Sequence, residues 1–342
     1  MSLGRAWAHQ LPEKLKQASI HGFKGVEIFY EDLEYLARDL SHGSDASPEG
    51  LLLAARTARH LCDQNNLTVV CLQPFLSYEG LLDPVEHRKR IEKLKLWFQI
   101  IKILGTDMIQ IPANFMTKDI TGDLDVIVAD MVEVAELGLR ETPSVRFVYE
   151  NISFATYVDT WEMAWDVVQK VDRPNFGICL DTFNICARVY GDPAVESGKT
   201  LNAERDMQAS IERMKQQIDV KRVFYVQIVD GERLRDPITP AHPFYIKGQS
   251  ARMGWSRNAR LFAYEEGGYL PILDVARVIF GDLGFEGWVS LELFSRTMAR
   301  VDPAVPRELA RRGYESWRKL KQDLHLKDEP GATDCVLLPQ GA

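Results

Sequence analysis

Seven short runs of β-branched and aromatic residues punctuate the chain. They are GVEIFYE (25–31), TVVCLQPF (68–75), MIQIPAN (108–114), RFVYENI (146–152), FGICLDTFN (176–184), RVFYVQIVD (222–230) and WVSLELF (288–294). Their near-continuous apolar character predicts strands of a parallel sheet covered on both faces. Amphipathic stretches lie between them. One is near 11–21, one spans 85–104 and stops at Gly105, and one spans 270–283 and stops at Gly284. Most strand starts fall 30 to 46 residues apart, the spacing of a βα unit. An eighth strand would close a (β/α)8 barrel. Its only candidate is residues 1–4, too short for a full barrel strand. The pattern therefore predicts an α/β fold of the (β/α)8 TIM-barrel type, with its first strand truncated at the N-terminus. An open doubly wound sheet is the competing architecture, but it usually shows a glycine-rich phosphate turn. Neither GxGxxG nor GxxxxGK[ST] occurs here.

Two segments break the period. Residues 231–269, after the strand counted seventh, form a long insertion rich in Pro, Gly and aromatic residues. Its Phe244, Tyr245, Trp255 and Phe262 predict an ordered lid over the barrel mouth. Residues 327–342 are polar and read as a loose C-terminal tail. That leaves residues 1–326 as one catalytic domain.

Composition narrows the class. Of 342 residues 46% are hydrophobic and 26% charged, which excludes collagen, wholesale disorder and a disulfide scaffold. Acids outnumber bases 49 to 41 for a net charge of −8, which argues against a nucleic-acid or anionic-membrane partner. Five scattered cysteines without a CxxC pair fit a reducing compartment. No apolar run approaches the ~20 residues of a membrane span, and no signal pattern opens the chain. The expected location is cytoplasmic.

In such barrels chemistry sits at the C-terminal ends of strands. Reading those ends gives Glu150, Asp181, Gln227 and Glu292 on four successive strands, each a polar residue within an apolar run. Burying three carboxylates without a cation is very costly. Three carboxylates and one amide oxygen make a hard oxygen set suited to Mg²⁺ or Mn²⁺. Any one of them could instead pair with a basic residue, and Asp181 could cap the following helix. Other strand ends carry Glu27, Gln73 and Asn114, with Asn184 three residues beyond Asp181. These are further site candidates, although Asn114 and Asn184 could be turn formers.

The insertion adds a contrast in charge. Between 231 and 262 it carries Arg233, Arg235, Lys247, Arg252, Arg257 and Arg260 against Glu232 and Asp236. A basic, aromatic lid on an acidic chain suits a small anionic substrate, for which Arg offers a planar fork. Arg5 is placed at the barrel mouth as a second anion-binding candidate. His9 and His242 could also reach a substrate.

The motifs MSLGRAW (1–7), GVEIFYEDLEYLA (25–37), CLQPF (71–75), GTDMIQIPANF (105–115), RPNFGICLDTFNI (173–185), VFYVQIVDGE (223–232), WSRNARLF (255–262) and GFEGWVSLELF (284–294) resemble the fungal 3-dehydroshikimate dehydratases of quinate catabolism. Those enzymes sit within the xylose-isomerase-like barrel superfamily. The resemblance implies a divalent-metal lyase (Mg²⁺, Mn²⁺ or Co²⁺) converting 3-dehydroshikimate to protocatechuate and water. Carried over position by position, it places metal ligands at Glu150, Asp181, Gln227 and Glu292. For such a substrate the basic residues Arg5, Arg233 and Arg257 are the expected carboxylate site, with the strand-end residues Glu27, Gln73 and Asn114 near the substrate. Related barrels carry DxxH where this chain has Asp181-Thr-Phe-Asn184. Asn184 is therefore expected to orient a substrate hydroxyl, leaving proton transfer to Glu232, His9 or His242. Two rivals remain: a sugar or keto-acid isomerase or epimerase of the same superfamily, and an inactive metal-binding paralogue.

Overall fold

The structure is a computed structural model that describes residues 2–41 and 46–327. All seven expected runs form strands of one parallel sheet. They are β1 (Gly25–Phe29), β2 (Thr68–Gln73), β3 (Met108–Pro112), β4 (Arg146–Glu150), β5 (Phe176–Asp181), β6 (Val223–Gln227) and, last in the chain, β9 (Val289–Ser290). Each neighbours the next in chain order. Between β6 and β9 the insertion contributes β7 (Asp230–Gly231) and β8 (Arg260–Leu261), an antiparallel ribbon, and a helix over Ala251–Asn258. The insertion is thus an ordered lid, as its aromatic residues suggest.

Helices follow the strands, and local chemistry sets their limits. The helix Pro84–Leu104 begins where the Asp83 carboxylate accepts from Val85 N (2.7 Å). It ends at Gly105, whose φ of 74° is the left-handed stop that glycine tolerates best. Strands end earlier than the apolar runs suggest because their last polar residues start the next element. Asp181 accepts from Phe183 N (2.7 Å) and Asn184 N (3.2 Å), so the run FGICLDTFN turns helical at Thr182.

Trp97, Trp161, Phe147 and Phe176 belong to the large core that joins helices to sheet. A second cluster, including Cys71, Met108, Val148, Cys179 and Tyr225, fills the barrel interior. Successive residues of a strand point to opposite faces, so two residues further along each strand the interior holds another layer. That layer is Glu27, Gln73, Gln110, Glu150, Asp181, Gln227 and Glu292, polar without exception.

The sheet does not close by backbone pairing, since β1 and β9 are its two ends. Side chains clasp this seam instead. Trp288 packs so tightly on Gly25 that an added Cβ would lie 2.7 Å from its ring. Ser290 lies close to Glu27 across the seam, and Phe29 meets Phe294 edge to face at 6.0 Å. Residues 1–4 are the expected stub of a first strand, but the described residues 2–4 form turns, as does the segment after them up to residue 10. Leu293 N donates to Ser2 Oγ (3.1 Å) and Arg5 N to the Met298 carbonyl (3.0 Å), which fixes this segment beyond the end of β9. The expected tail lies outside the described residues from 328 onward.

Candidate active site

The polar layer converges on an acidic centre. Glu150, Asp181 and Glu292, all buried, each offer an oxygen within 4.8 Å of the others and could hold a metal ion. Burial and the neighbouring charges of Glu292 and Asp181 hold the Glu150 carboxyl far above the ordinary range. Burial likewise pushes Glu292 up to about 8, against the pull of Arg260. Such shifts are the signature of a site built for a cation beyond those the chain supplies.

Gln227 completes the set. Its side chain is fully buried, its Nε2 donates to Glu27 Oε2 (3.1 Å), and its Oε1 has no hydrogen-bond partner. An orphaned amide oxygen in a buried polar layer is costly in a folded protein, and a coordinated cation is what would satisfy it. The residues present therefore fit a divalent ion with oxygen ligands. Asp181 also does what its two alternative readings foresaw: Oδ1 caps the helix Thr182–Val189, while Oδ2 accepts from Arg260 (2.8 Å).

Three buried polar residues were missed in the sequence, and two of them, Arg260 and Gln110, contact this centre. Arg260 is buried and sends Nη1 to Asp181 Oδ2 (2.8 Å) and Glu292 Oε2 (3.1 Å), between the rings of Phe183 and Phe294. Gln110 donates to Glu150. Glu79, buried in the loop after β2, accepts from the Asn114 backbone and the Tyr149 hydroxyl (3.0 Å), with its other oxygen unpartnered. Gln110 carried the signal that found Gln227, an amide inside an apolar run. Arg260 was visible only as one basic residue among six.

Several expected roles change. Asn184 does not present its amide to a substrate. Its Nδ2 donates to Glu150 Oε1 (2.9 Å) and Asp181 Oδ2 (2.8 Å), and its Oδ1 accepts from Ser153 N (3.0 Å), so it braces two carboxylates. Asn114 is the turn former: its Oδ1 accepts from Met116 N (3.0 Å) and its Nδ2 donates to the Glu79 carbonyl (2.9 Å). Glu27 and Gln73, expected near substrate, are bound into the acidic layer. Gln73 Nε2 bridges Glu27 Oε2 (2.6 Å) and Glu292 Oε1 (2.8 Å).

Among the proton-transfer candidates, Glu232 forms a two-point ion pair with Arg296. The buried His9 donates Nε2–H to the Arg300 carbonyl (2.8 Å), pinning the N-terminal turn. His242 accepts at Nδ1 from Phe244 N (3.1 Å), which leaves the proton on Nε2. Arg233 is engaged by the carbonyls of Leu234 (2.7 Å) and Glu196 and lies over Tyr269, so it is a lid brace and not an anion clamp. Arg257 differs from all of these. Half-buried, it faces the Phe115 ring at 5.8 Å, and its guanidinium has no hydrogen bond or ion pair among the described residues. Burial lowers its pKa. Arg5 donates Nη2 to the Arg257 backbone carbonyl (2.8 Å), so the two bases adjoin.

Among the described residues no helix is long and apolar enough to cross a membrane. The sequence profile of the xylose isomerase-like TIM barrel family matches residues 15–320. A Neurospora crassa protein named 3-dehydroshikimate dehydratase is 52% identical over 96% of this chain and 94% of its own length. A Pseudomonas aeruginosa protein of the same name is 28% identical over 83% of this chain, which spans only 36% of that relative. Among solved structures, a xylose isomerase-like TIM barrel/4-hydroxyphenylpyruvate dioxygenase fusion protein superposes with a TM-score of 0.70 at 25% identity. It covers 96% of this chain, which corresponds to 44% of the fusion protein.

Proposed function

The chain belongs to the xylose isomerase-like TIM barrel family, and from that premise we propose that it dehydrates 3-dehydroshikimate to protocatechuate in the cytoplasm. The observation that carries the reaction is the match, along nearly the whole chain, to the fungal relative of that name. In this reading Glu150, Asp181, Gln227 and Glu292 hold a divalent cation, Mg²⁺, Mn²⁺ or Co²⁺. Three carboxylates against the Arg260 guanidinium leave two negative charges in the cluster, which one divalent ion offsets.

Held by these residues, a divalent cation would supply positive charge to offset the negative charge that develops on the substrate's ketone oxygen as the C4 proton passes to a general base. The protein's own residues bind and orient. Arg257, with Arg5 beside it, takes the substrate carboxylate through its unengaged N–H groups. Phe115, against which Arg257 lies, offers the carbocyclic ring an apolar wall. The lid excludes water; its Trp255 is fully buried and donates Nε1–H to the Glu232 carbonyl (3.0 Å). For departure of the C5 hydroxyl, His242 presents Nε2–H as the proton donor. Loss of water leaves the keto tautomer of the product; a C6 proton is then lost and the C3 oxygen protonated, and the aromatic ring so formed makes the reaction effectively irreversible.

The test is direct. Enzyme supplied with Mn²⁺ or Mg²⁺ and 3-dehydroshikimate should produce protocatechuate, seen by its absorbance and by the loss of one water in mass. Absence of product with either metal would overturn the assignment, and a product of unchanged mass would point to an isomerase or epimerase instead.

A further inference from the structure

A glutamine ligand has a difficulty that a carboxylate lacks. Its two ends are nearly the same size, but only the oxygen can coordinate a cation. Something must decide which end faces the site. Around Gln227 the structure shows a single polar neighbour on the nitrogen side. Gln227 Nε2 donates to both oxygens of Glu27, Oε2 at 3.1 Å and Oε1 at 3.4 Å, while Gln227 Oε1 has no partner. The reversed amide would press its oxygen onto a carboxylate and leave its N–H groups facing the cation.

Glu27 is itself held in place. Gln73 Nε2 (2.6 Å) and the Tyr225 hydroxyl (3.2 Å) donate to its Oε2, and Ser290 lies close by across the seam. Tyr225 stands two residues before Gln227 on β6, so one strand supplies both the ligand and an anchor for the group that orients it. Gln73 also donates to Glu292 Oε1 (2.8 Å). Every donor around Glu27 thus points toward its oxygens, and none of them competes for Gln227 Oε1.

We propose that Glu27 is a positioning residue that fixes the Gln227 amide with its oxygen toward the cation, and so makes a neutral side chain a dependable ligand. The inference rests on the ligand set proposed above. Removing a partner that orients a metal ligand costs 10- to 100-fold in metal affinity in general.

The experiment is Mn²⁺ binding, measured by titration calorimetry and by the spin resonance of free Mn²⁺, on four proteins. They are the parent, Glu27→Met, Gln227→Glu, and the double variant. A carboxylate at 227 has two equivalent oxygens and needs no orientation. Glu27→Met should therefore lower Mn²⁺ affinity at least tenfold when Gln227 is present, and change it less than twofold in the Gln227→Glu background. An equal drop in both backgrounds would show that Glu27 contributes only its charge and would overturn the proposal, as would no drop in the first. Failure of the parent itself to bind Mn²⁺ would instead overturn the ligand set. Glu27→Leu removes both acceptors with an apolar side chain, and provides the same comparison should Glu27→Met not fold.

Discussion

Glu79 gives the sharpest quantitative test. Its carboxyl is buried beside the strand ends, and burial outweighs its hydrogen bonds to raise its pKa from the ordinary 4.5 to about 7. Each pH unit of such a rise corresponds to about 1.4 kcal/mol. Ionising Glu79 in the folded protein therefore costs about 3 kcal/mol more than in the unfolded chain. Between pH 4.5 and 7 the folded state binds the extra proton, so stability falls as pH rises. The contribution is fully present below pH 4.5 and is lost as pH rises through 7. Glu79→Gln keeps the Oε1 acceptor for Asn114 and Tyr149 and removes the titration. The new amide adds an offset that does not depend on pH, and the other buried carboxylates titrate in both proteins. Urea unfolding of the metal-free proteins, followed by tryptophan fluorescence at pH 5 and 8.5, isolates the remaining term. The variant should gain roughly 2–3 kcal/mol on the parent over that interval. A stability difference that stays constant with pH would refute the reasoning.

Three further outcomes follow from the site. Arg257→Ala should raise KM for 3-dehydroshikimate roughly 10- to 100-fold with Mn²⁺ affinity unchanged, since a charge-assisted bond is worth about 1.5–3 kcal/mol; steady-state kinetics beside calorimetry separates the two. Asn184→Ala should lower Mn²⁺ affinity, because the amide braces Glu150 and Asp181; a pure loss of kcat with unaltered metal binding would restore it to the substrate. Arg260→Met should destabilise the metal-free protein by about 3–5 kcal/mol, the effect of removing one partner of a buried ion pair. Saturating Mn²⁺ should recover much of that loss, read as a rise in Tm larger than the parent shows.

The barrel was legible because strands covered on both faces read as apolar runs, and a polar residue inside such a run stands out. That logic reached Glu150, Asp181, Gln227 and Glu292. It also described Gln110 within MIQIP, but an amide two residues before a proline at a strand end looks like any turn-forming residue until its partner Glu150 is seen. Other features depend on contacts far apart in the chain. His9 finds its acceptor in Arg300, and Arg260 finds Asp181, a residue 79 positions earlier. Periodicity carries no trace of such pairs. Asn184 was read as a replacement for a catalytic histidine, yet its geometry as a brace follows from helix capping by Asp181. That capping turns the amide back over the strand end.

The clasped seam has a consequence for how copies of this protein meet. A sheet edge with unpaired backbone is a template on which another chain can add a strand. Here the two edges face each other across a gap, and the side chains that join them also fill it. The Trp288 ring lies on Gly25 where a visiting strand would have to run. Above it the Glu27 carboxylate, with Ser290 close by on the opposite edge, would have to be stripped of its partners Gln73 and Tyr225. The fit depends on the hydrogen at position 25, since any side chain there would lever the indole outward and expose both edges together. The smallest residue of β1 thus acts as a guard against aggregation, at a point about as far from the catalytic end as the strand allows.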